Sequence, residues 1–239
     1  MSRPLFEQGL QQLQTEVLEL GKLVDTALKE AMASLEQRNY ALSTSVIEND
    51  KEINRLRLMI EEQALTLIAT QQPVAHDLRI LAATLNIVSE LERMGDHAKG
   101  IAQINQLLKD LPLVTSLAII SSMGEKCSSM LKAVLEAFIH QNAEGARATA
   151  QYDSEIDALY DQAYQELLQI MINDPQTVSR ATCLLWAVHN LERFGDRITN
   201  ICERIIFVAT GELVEIADQH HVRLYPDLFV VSAKPELEA

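Results

Sequence analysis

Apolar residues recur near the start of the chain at Leu10, Leu13, Val17, Leu20, Val24, Ala27 and Ala31, in alternating steps of three and four. So narrow a stripe is the seam of a helix in a left-handed bundle. Arg38-Asn39-Tyr40 interrupts it, and a second helix follows with Val46, Ile53, Ile60 and Leu67 one heptad apart. Gln71-Gln72-Pro73 marks the next break, because proline suits the first turn of a helix and not its interior. A third helix is predicted from about Val74 to Leu108, with Ile80, Ile87, Leu91, Met94, Ala98 and Ile101 as its stripe. Leu111-Pro112 separates it from a fourth over 113–141, and a fifth spans about Ala143 to Ile172. Asn173-Asp174-Pro175 reads as an N-cap followed by proline at the first helical position. The sixth helix then runs to about Thr210, where Gly211 is placed to close it.

The six helices fall into two similar sets. Leu91-Glu92-Arg93-Met94-Gly95-Asp96 stands near the end of the third, and Leu191-Glu192-Arg193-Phe194-Gly195-Asp196 stands 100 positions later near the end of the sixth. Asp50-Lys51-Glu52-Ile53-Asn54 resembles Asp153-Ser154-Glu155-Ile156-Asp157 at an offset of 103. A small length difference in the intervening hairpin reconciles the two offsets. An internal repeat of this kind predicts an all-α fold of two tandem, pseudo-symmetric three-helix bundles, about 1–110 and 111–212, with a tail over 213–239.

Composition narrows the classes. Of 239 residues, 48% are hydrophobic and 23% charged, which is ordinary for a globular protein. Only 8 Gly and 6 Pro argue against a turn-rich β sandwich, and no Gly-rich phosphate loop is present. A net charge of −14 makes the chain a poor general binder of nucleic acid or anionic membrane. Cys127, Cys183 and Cys202 are odd in number and widely spaced, which predicts a reducing compartment rather than a disulfide framework. No signal-peptide pattern and no long apolar run occur, so the expectation is a cytoplasmic protein without membrane insertion.

The repeated Glu-x-x-x-Asp carries the candidate chemistry. With Met94 at the middle of the buried stripe, Glu92 and Asp96 each lie about 160° away, so both should project opposite the core. The same holds for Glu192 and Asp196 around Phe194. Like charges four apart repel by a few tenths of a kcal/mol, and a bundle has no structural reason to place such a pair twice. Mid-helix Gly95 and Gly195 each cost about 1 kcal/mol relative to alanine and allow a neighbouring helix to approach closely. Asp50 and Asn54 on the second helix, and Asp153 and Asp157 on the fifth, sit at the edge of the buried face. Closing helices could gather these oxygens around Mg²⁺, Mn²⁺, iron or Zn²⁺. The competing reading is a solvated face in which Arg93 pairs with Asp96, and Arg193 with Asp196, three residues on. A ferritin-like di-iron site is weaker, since it needs Glu-x-x-His and glycine stands at both third positions.

These motifs resemble the duplicated signature of the PhoU family of phosphate-transport regulatory proteins, as do Asp77-Leu78-Arg79 and Thr210-Gly211-Glu212. The resemblance spans about residues 5–212. It implies two three-helix bundles with an acidic metal face on each, and a homodimer. It also implies a cytoplasmic regulator of phosphate uptake and starvation signalling that acts on the phosphate ABC transporter ATPase and a phosphate-sensing histidine kinase. The implied cofactor is a divalent or multinuclear metal: iron, zinc, manganese or magnesium. Carried over residue by residue, Asp50, Asn54, Glu92 and Asp96 form the first site, and Asp153, Asp157, Glu192 and Asp196 the second. Asn54 departs from Asp157, and a neutral amide predicts weaker binding at the first site.

Beyond the ligands no acid, base or nucleophile stands beside an open metal position, so a non-enzymatic regulator is expected. The alternatives are a helical scaffold with no metal role, or a carboxylate-bridged metalloenzyme. His189 lies on the face of Glu192 and could add a nitrogen ligand, whereas Ser89 replaces it in the first copy. His97 is expected outside that shell. Trp186 and the cysteines read as core, His220-His221 as a solvated pair, and Leu228-Phe229-Val230-Val231 as an apolar run docked on a bundle or a subunit contact.

Overall fold

The computed structural model describes residues 3–109 and 111–216, and among these every regular element is a helix. The first bundle comprises α1 (Arg3–Glu36), α2 (Tyr40–Gln71) and α3 (Ala75–Leu107). The second comprises α4 (Ala118–Ile139), α5 (Ala143–Gln151), α6 (Asp153–Asn173) and α7 (Val178–Thr210). In each bundle the first and last helices pack on each other and on the middle one, and the bundles join through α3 on α7 and α1 on α4. Val17, Leu20, Leu91 and Met94 of the first half and Leu131, Leu191, Phe194 and Ile198 of the second belong to one continuous apolar core. The predicted all-α pair of pseudo-symmetric bundles is the observed architecture. Among the described residues no helix is long and apolar enough to cross a membrane.

Local chemistry sets the helix ends. The Asn39 side chain accepts from the Leu42 N–H at 3.1 Å, and Asn142 accepts from Gly145 at 3.0 Å, so the same cap serves both repeats. Gly211 adopts φ 83° and donates to the Phe207 carbonyl at 2.9 Å, which ends α7. Asp174 caps as expected, but the turn that Pro175 opens is a short 3₁₀ segment, Pro175–Thr177, ahead of α7.

Two boundaries differ from the sequence expectation. The fourth helix starts at Ala118, not near 113. Ser116 accepts from the Ala118 N–H and the Thr115 hydroxyl reaches Glu166, so local side-chain bonds hold 113–117 off the helix. The fifth predicted helix is two helices broken at Tyr152. The Ser154 hydroxyl takes the Gln151 carbonyl at 2.9 Å, and the Glu155 N–H turns to Tyr152 instead, at 3.0 Å. Lys51 occupies the equivalent place in the first repeat, and α2 runs through unbroken.

The first repeat carries a buried polar network that the second lacks. Asn105 donates to the Ser34 carbonyl and to the Ser43 hydroxyl, both at 2.8 Å, and Ser43 bonds Ser34 at 3.0 Å. The second repeat holds Ala137, Ala146 and Ile205 at these places, all buried and apolar. Beside the network, one guanidinium nitrogen of Arg38 donates to the carbonyls of Leu108, Lys109 and Leu111 at 2.5, 3.0 and 2.8 Å. The α1–α2 turn thus grips the end of α3 and the start of the inter-repeat connection. Asn105→Ala would leave two buried groups without their donor, at about 1–3 kcal/mol. Thermal unfolding should show a midpoint lowered by several degrees, and an unchanged midpoint would mean the network contributes nothing.

Candidate functional site

The strongest junction between the repeats is the antiparallel crossing of α3 and α7. Glu90 meets Arg197 at 3.4 Å and Asn200 at 3.2 Å. In mirrored fashion, Asn190 meets His97 at 3.1 Å, and a Cβ at Gly100 would stand 2.8 Å from the Asn190 oxygen. Adding 100 to one set of positions gives the other, so a pseudo-two-fold axis passes between positions 93 and 94 and between 193 and 194. The two acidic motifs therefore straddle the axis, and their carboxylates face outward along the α2–α3 and α6–α7 clefts. His97 points into the inter-repeat seam, outside the carboxylate shell as expected. Burial, then the Arg197 and Arg193 charges, pushes its pKa below the ordinary 6.5, with Asn190 opposing.

In the first repeat the structure brings Asp50, Asn54, Glu92 and Asp96 to one cleft. Asp50 is buried, with its side chain 7% exposed. Its Oδ2 accepts from the Asn54 amide at 3.2 Å and from the Lys99 ammonium at 2.7 Å, while its buried Oδ1 has no hydrogen-bond partner. Lys99 also reaches Asp96 at 3.6 Å. Burial raises the Glu92 pKa above 4.5, and the charges of Asp96 and Asp50 add to this while Arg57 opposes it. The Asp50 hydrogen bond in turn raises Lys99 above its ordinary value, so this amine stays charged. As a metal site this set fits poorly, because an ammonium already sits where a cation would bind.

In the second repeat, Asp153 is the first residue of α6, a position that favours a carboxylate. A Cβ at Gly195 would stand 3.0 Å from Asp153 Oδ1, so the missing side chain is what lets this carboxylate lie against α7. Asp157 follows one turn later, half-buried. Arg193 bridges the motif's own carboxylates, 3.4 Å from Glu192 and 3.2 Å from Asp196, so the paired-arginine reading is realised here. His189 Nδ1 lies 3.7 Å from Glu192, and burial, then Arg193 and His97, lowers its pKa. The donor set is all carboxylate, which suits a hard or borderline cation. Among the described residues no three His, Cys, Asp or Glu side chains stand together as a ready-made metal cage in either repeat.

Several expectations need correction. Glu192 and Asp196 do not project into open solvent: their side chains are 17% and 18% exposed. Only Asp96, at 53%, stands clear of the protein. α3 and α7 are central helices with neighbours on several sides, so more than one stripe of each is buried. Trp186 is not core; it is exposed, with its ring edge-on to His189 at 5.9 Å. Cys127 and Cys202 are buried as expected, but Cys183 is half-buried. Burial, helped by Asp153, pushes both buried thiols up, Cys202 to about 12, so neither is a nucleophile at neutral pH. His220-His221 and Leu228–Val231 lie outside the described residues. Sequence reasoning missed Lys99 and Arg57, although comparing the two copies position by position exposes both.

A duplicated three-helix bundle, its copies crossed about a pseudo-two-fold axis with an acidic cleft in each, defines the class of protein. The PhoU domain matches it twice, over residues 17–104 and 120–205. A relative from Clostridium acetobutylicum is 36% identical over 219 residues, 91% of this chain and 100% of the relative. One from Streptococcus pneumoniae is 35% identical over 90% of this chain and 99% of its own. Both are named phosphate-specific transport system accessory protein PhoU homolog. The crystal structure of PhoU from Pseudomonas aeruginosa superposes with a TM-score of 0.83 at 31% identity, over 87% of this chain and all of that one. That of the phosphate transport system regulatory protein PhoU from S. pneumoniae gives 0.84 at 34%, over 88% and 100%. The chain belongs to the PhoU family.

The raised Glu92 pKa has a consequence for stability. The folded chain holds this proton more tightly than the unfolded one, so the stability it contributes is present below pH 4.5 and lost as pH rises through the folded value. In chelator at neutral pH, Glu92→Gln should therefore melt higher than the parent. Because this carboxylate is only partly buried, solvent screening holds the gain to a few tenths of a kcal/mol, about 1 °C, and it should shrink as the pH approaches 4. A variant that melts lower at neutral pH would contradict this.

Proposed function

We propose that this chain is a regulatory accessory protein of phosphate transport that restrains phosphate uptake and phosphate-starvation signalling when phosphate is plentiful. The observation that carries this reading is the match of both repeats, over nearly the whole length of the relatives, to proteins named phosphate-specific transport system accessory protein. It acts as a non-enzymatic cytoplasmic homodimer on the ATPase of the phosphate ABC transporter and on a phosphate-sensing histidine kinase. The strongly acidic chain fits protein partners better than nucleic acid.

The cation belongs first to the second repeat, where Asp153, Asp157, Glu192 and Asp196 would hold iron, zinc, manganese or magnesium. The bound ion supplies fixed positive charge in an otherwise repulsive acidic cleft. The residues around it supply position: Gly195 admits Asp153, and Arg193 holds Glu192 and Asp196 on one side of α7. Positive charge at that point would take a phosphate oxygen or an acidic partner surface.

Two measurements test the reading. Glu192→Gln with Asp196→Asn should lower the metal content of protein purified without added metal, while circular dichroism keeps its helical signal. Full metal content in the double variant would place the cation elsewhere. Deleting the gene should leave starvation genes on, or uptake unrestrained, in phosphate-rich medium. Normal uptake and repression, in a strain without a redundant copy, would favour a scaffold instead.

A further inference from the structure

We infer that Lys99 is a built-in cation that takes the metal's place in the first repeat. The inference concerns the same pair of clefts as the reading above and rests on its premise that such carboxylates take a divalent cation.

Three aligned differences between the copies carry it. Asn54 faces Asp157, Arg57 faces Tyr160 and Lys99 faces Thr199. Asp157 adds a negative charge to the second copy, and Thr199 and Tyr160 each remove a positive one, although Arg57 is lost together with its partner Glu61, 2.6 Å away, whose counterpart is Tyr164. In the first copy the Lys99 ammonium lies 2.7 Å from Asp50 Oδ2 and 3.6 Å from Asp96 Oδ1. Thr199 is short and neutral, and its hydroxyl is turned to the Asp196 carbonyl at 2.7 Å. The second copy therefore sends no ammonium into its cleft from this position.

The stereochemistry makes the two occupants exclusive. A lysine ammonium is a compact point charge with three donors, a monovalent stand-in for a hydrated ion. A divalent cation bonds carboxylate oxygen at about 2.0–2.6 Å. It cannot share Asp50 Oδ2 with an ammonium already in hydrogen-bond contact, the more so as the Asn54 amide takes the same oxygen. The remaining oxygen of Asp50, Oδ1, is buried without a partner. It is a ligand position left over once the ammonium has neutralised the site. Removing Lys99 uncovers an almost fully buried carboxylate whose Oδ1 has no partner and whose Oδ2 keeps only the Asn54 amide. Such a group is stable only with a replacement cation.

The test uses the full chain, stripped of metal and titrated with Mn²⁺ alone, with bound ion counted by electron paramagnetic resonance and thermal midpoints recorded with and without Mn²⁺. Lys99→Thr, and Lys99→Thr combined with Asn54→Asp and Arg57→Tyr, should each bind about one more Mn²⁺ per chain than the parent. Both should melt below the parent in chelator and recover with Mn²⁺. Glu92→Gln with Asp96→Asn in the parent should leave Mn²⁺ stoichiometry unchanged, and the same pair added to Lys99→Thr should abolish the gain. If the triple variant does not fold, the single variant and the parent's Glu92/Asp96 pair still decide. No gain on removing Lys99, or loss of a bound Mn²⁺ when Glu92 and Asp96 are neutralised in the parent, overturns the inference. A parent that binds no Mn²⁺ while Lys99→Thr binds one would support it and sink the metal reading of the second cleft.

Discussion

The crossing of α3 on α7 is the constraint on which the rest of the molecule depends. Each helix packs on its own bundle on one side and on its counterpart on the other, which forces a broad buried surface: Leu91, Met94 and Ala98 on α3, Leu191, Phe194 and Ile198 on α7. Side chains that must stay polar are squeezed to the helix edges. There they meet either the opposite repeat, as Glu90 and Asn190 do, or the middle helix of their own bundle, as the motif carboxylates do. The seam is held by charge and amide contacts that repeat across the pseudo-axis, so its two halves are chemically related but not identical.

That near-identity separates a structural inheritance from a functional divergence. The glycine in each motif is retained for the same reason, close helix approach, but what approaches differs: Ile53 over Gly95, and both Ile156 and the Asp153 carboxylate over Gly195. The break at Tyr152 makes Asp153 the start of a helix, and the unbroken α2 leaves Asp50 in mid-helix, buried against Lys99. One repeated arrangement thus serves two electrostatic environments, one met by a lysine reaching Asp50 and the other by an arginine within its own motif.

Much of this was legible in the sequence. Heptad stripes mark the helices, proline and asparagine mark most breaks, and the two motifs mark the repeat. What escaped had identifiable causes. Ser154 competes for a backbone carbonyl, an effect of one hydroxyl that periodicity does not register. Trp186 has an apolar ring on a helix whose core stripe is already filled, so hydrophobicity alone misplaced it. The exposure of Glu192 and Asp196 depended on how many neighbours α7 has, a tertiary fact. Lys99 was visible three residues after Asp96, but its target, Asp50, lies 49 positions away on another helix.

The Arg38 clamp bears on how the two halves can move. Because one guanidinium holds three carbonyls just past the end of α3, those of Leu108, Lys109 and Leu111, the start of the connection is fixed to the first bundle and is no swivel. Tandem repeats are usually pictured as beads that reorient on a string. Here the string is stitched to both beads, since the Thr115 hydroxyl also bonds Glu166 and Arg180 donates to the Pro112 carbonyl. Any shape change that begins in one cleft must travel as sliding or rotation at the two packed seams, α3 on α7 and α1 on α4, and the molecule transmits force as a lever jointed at both.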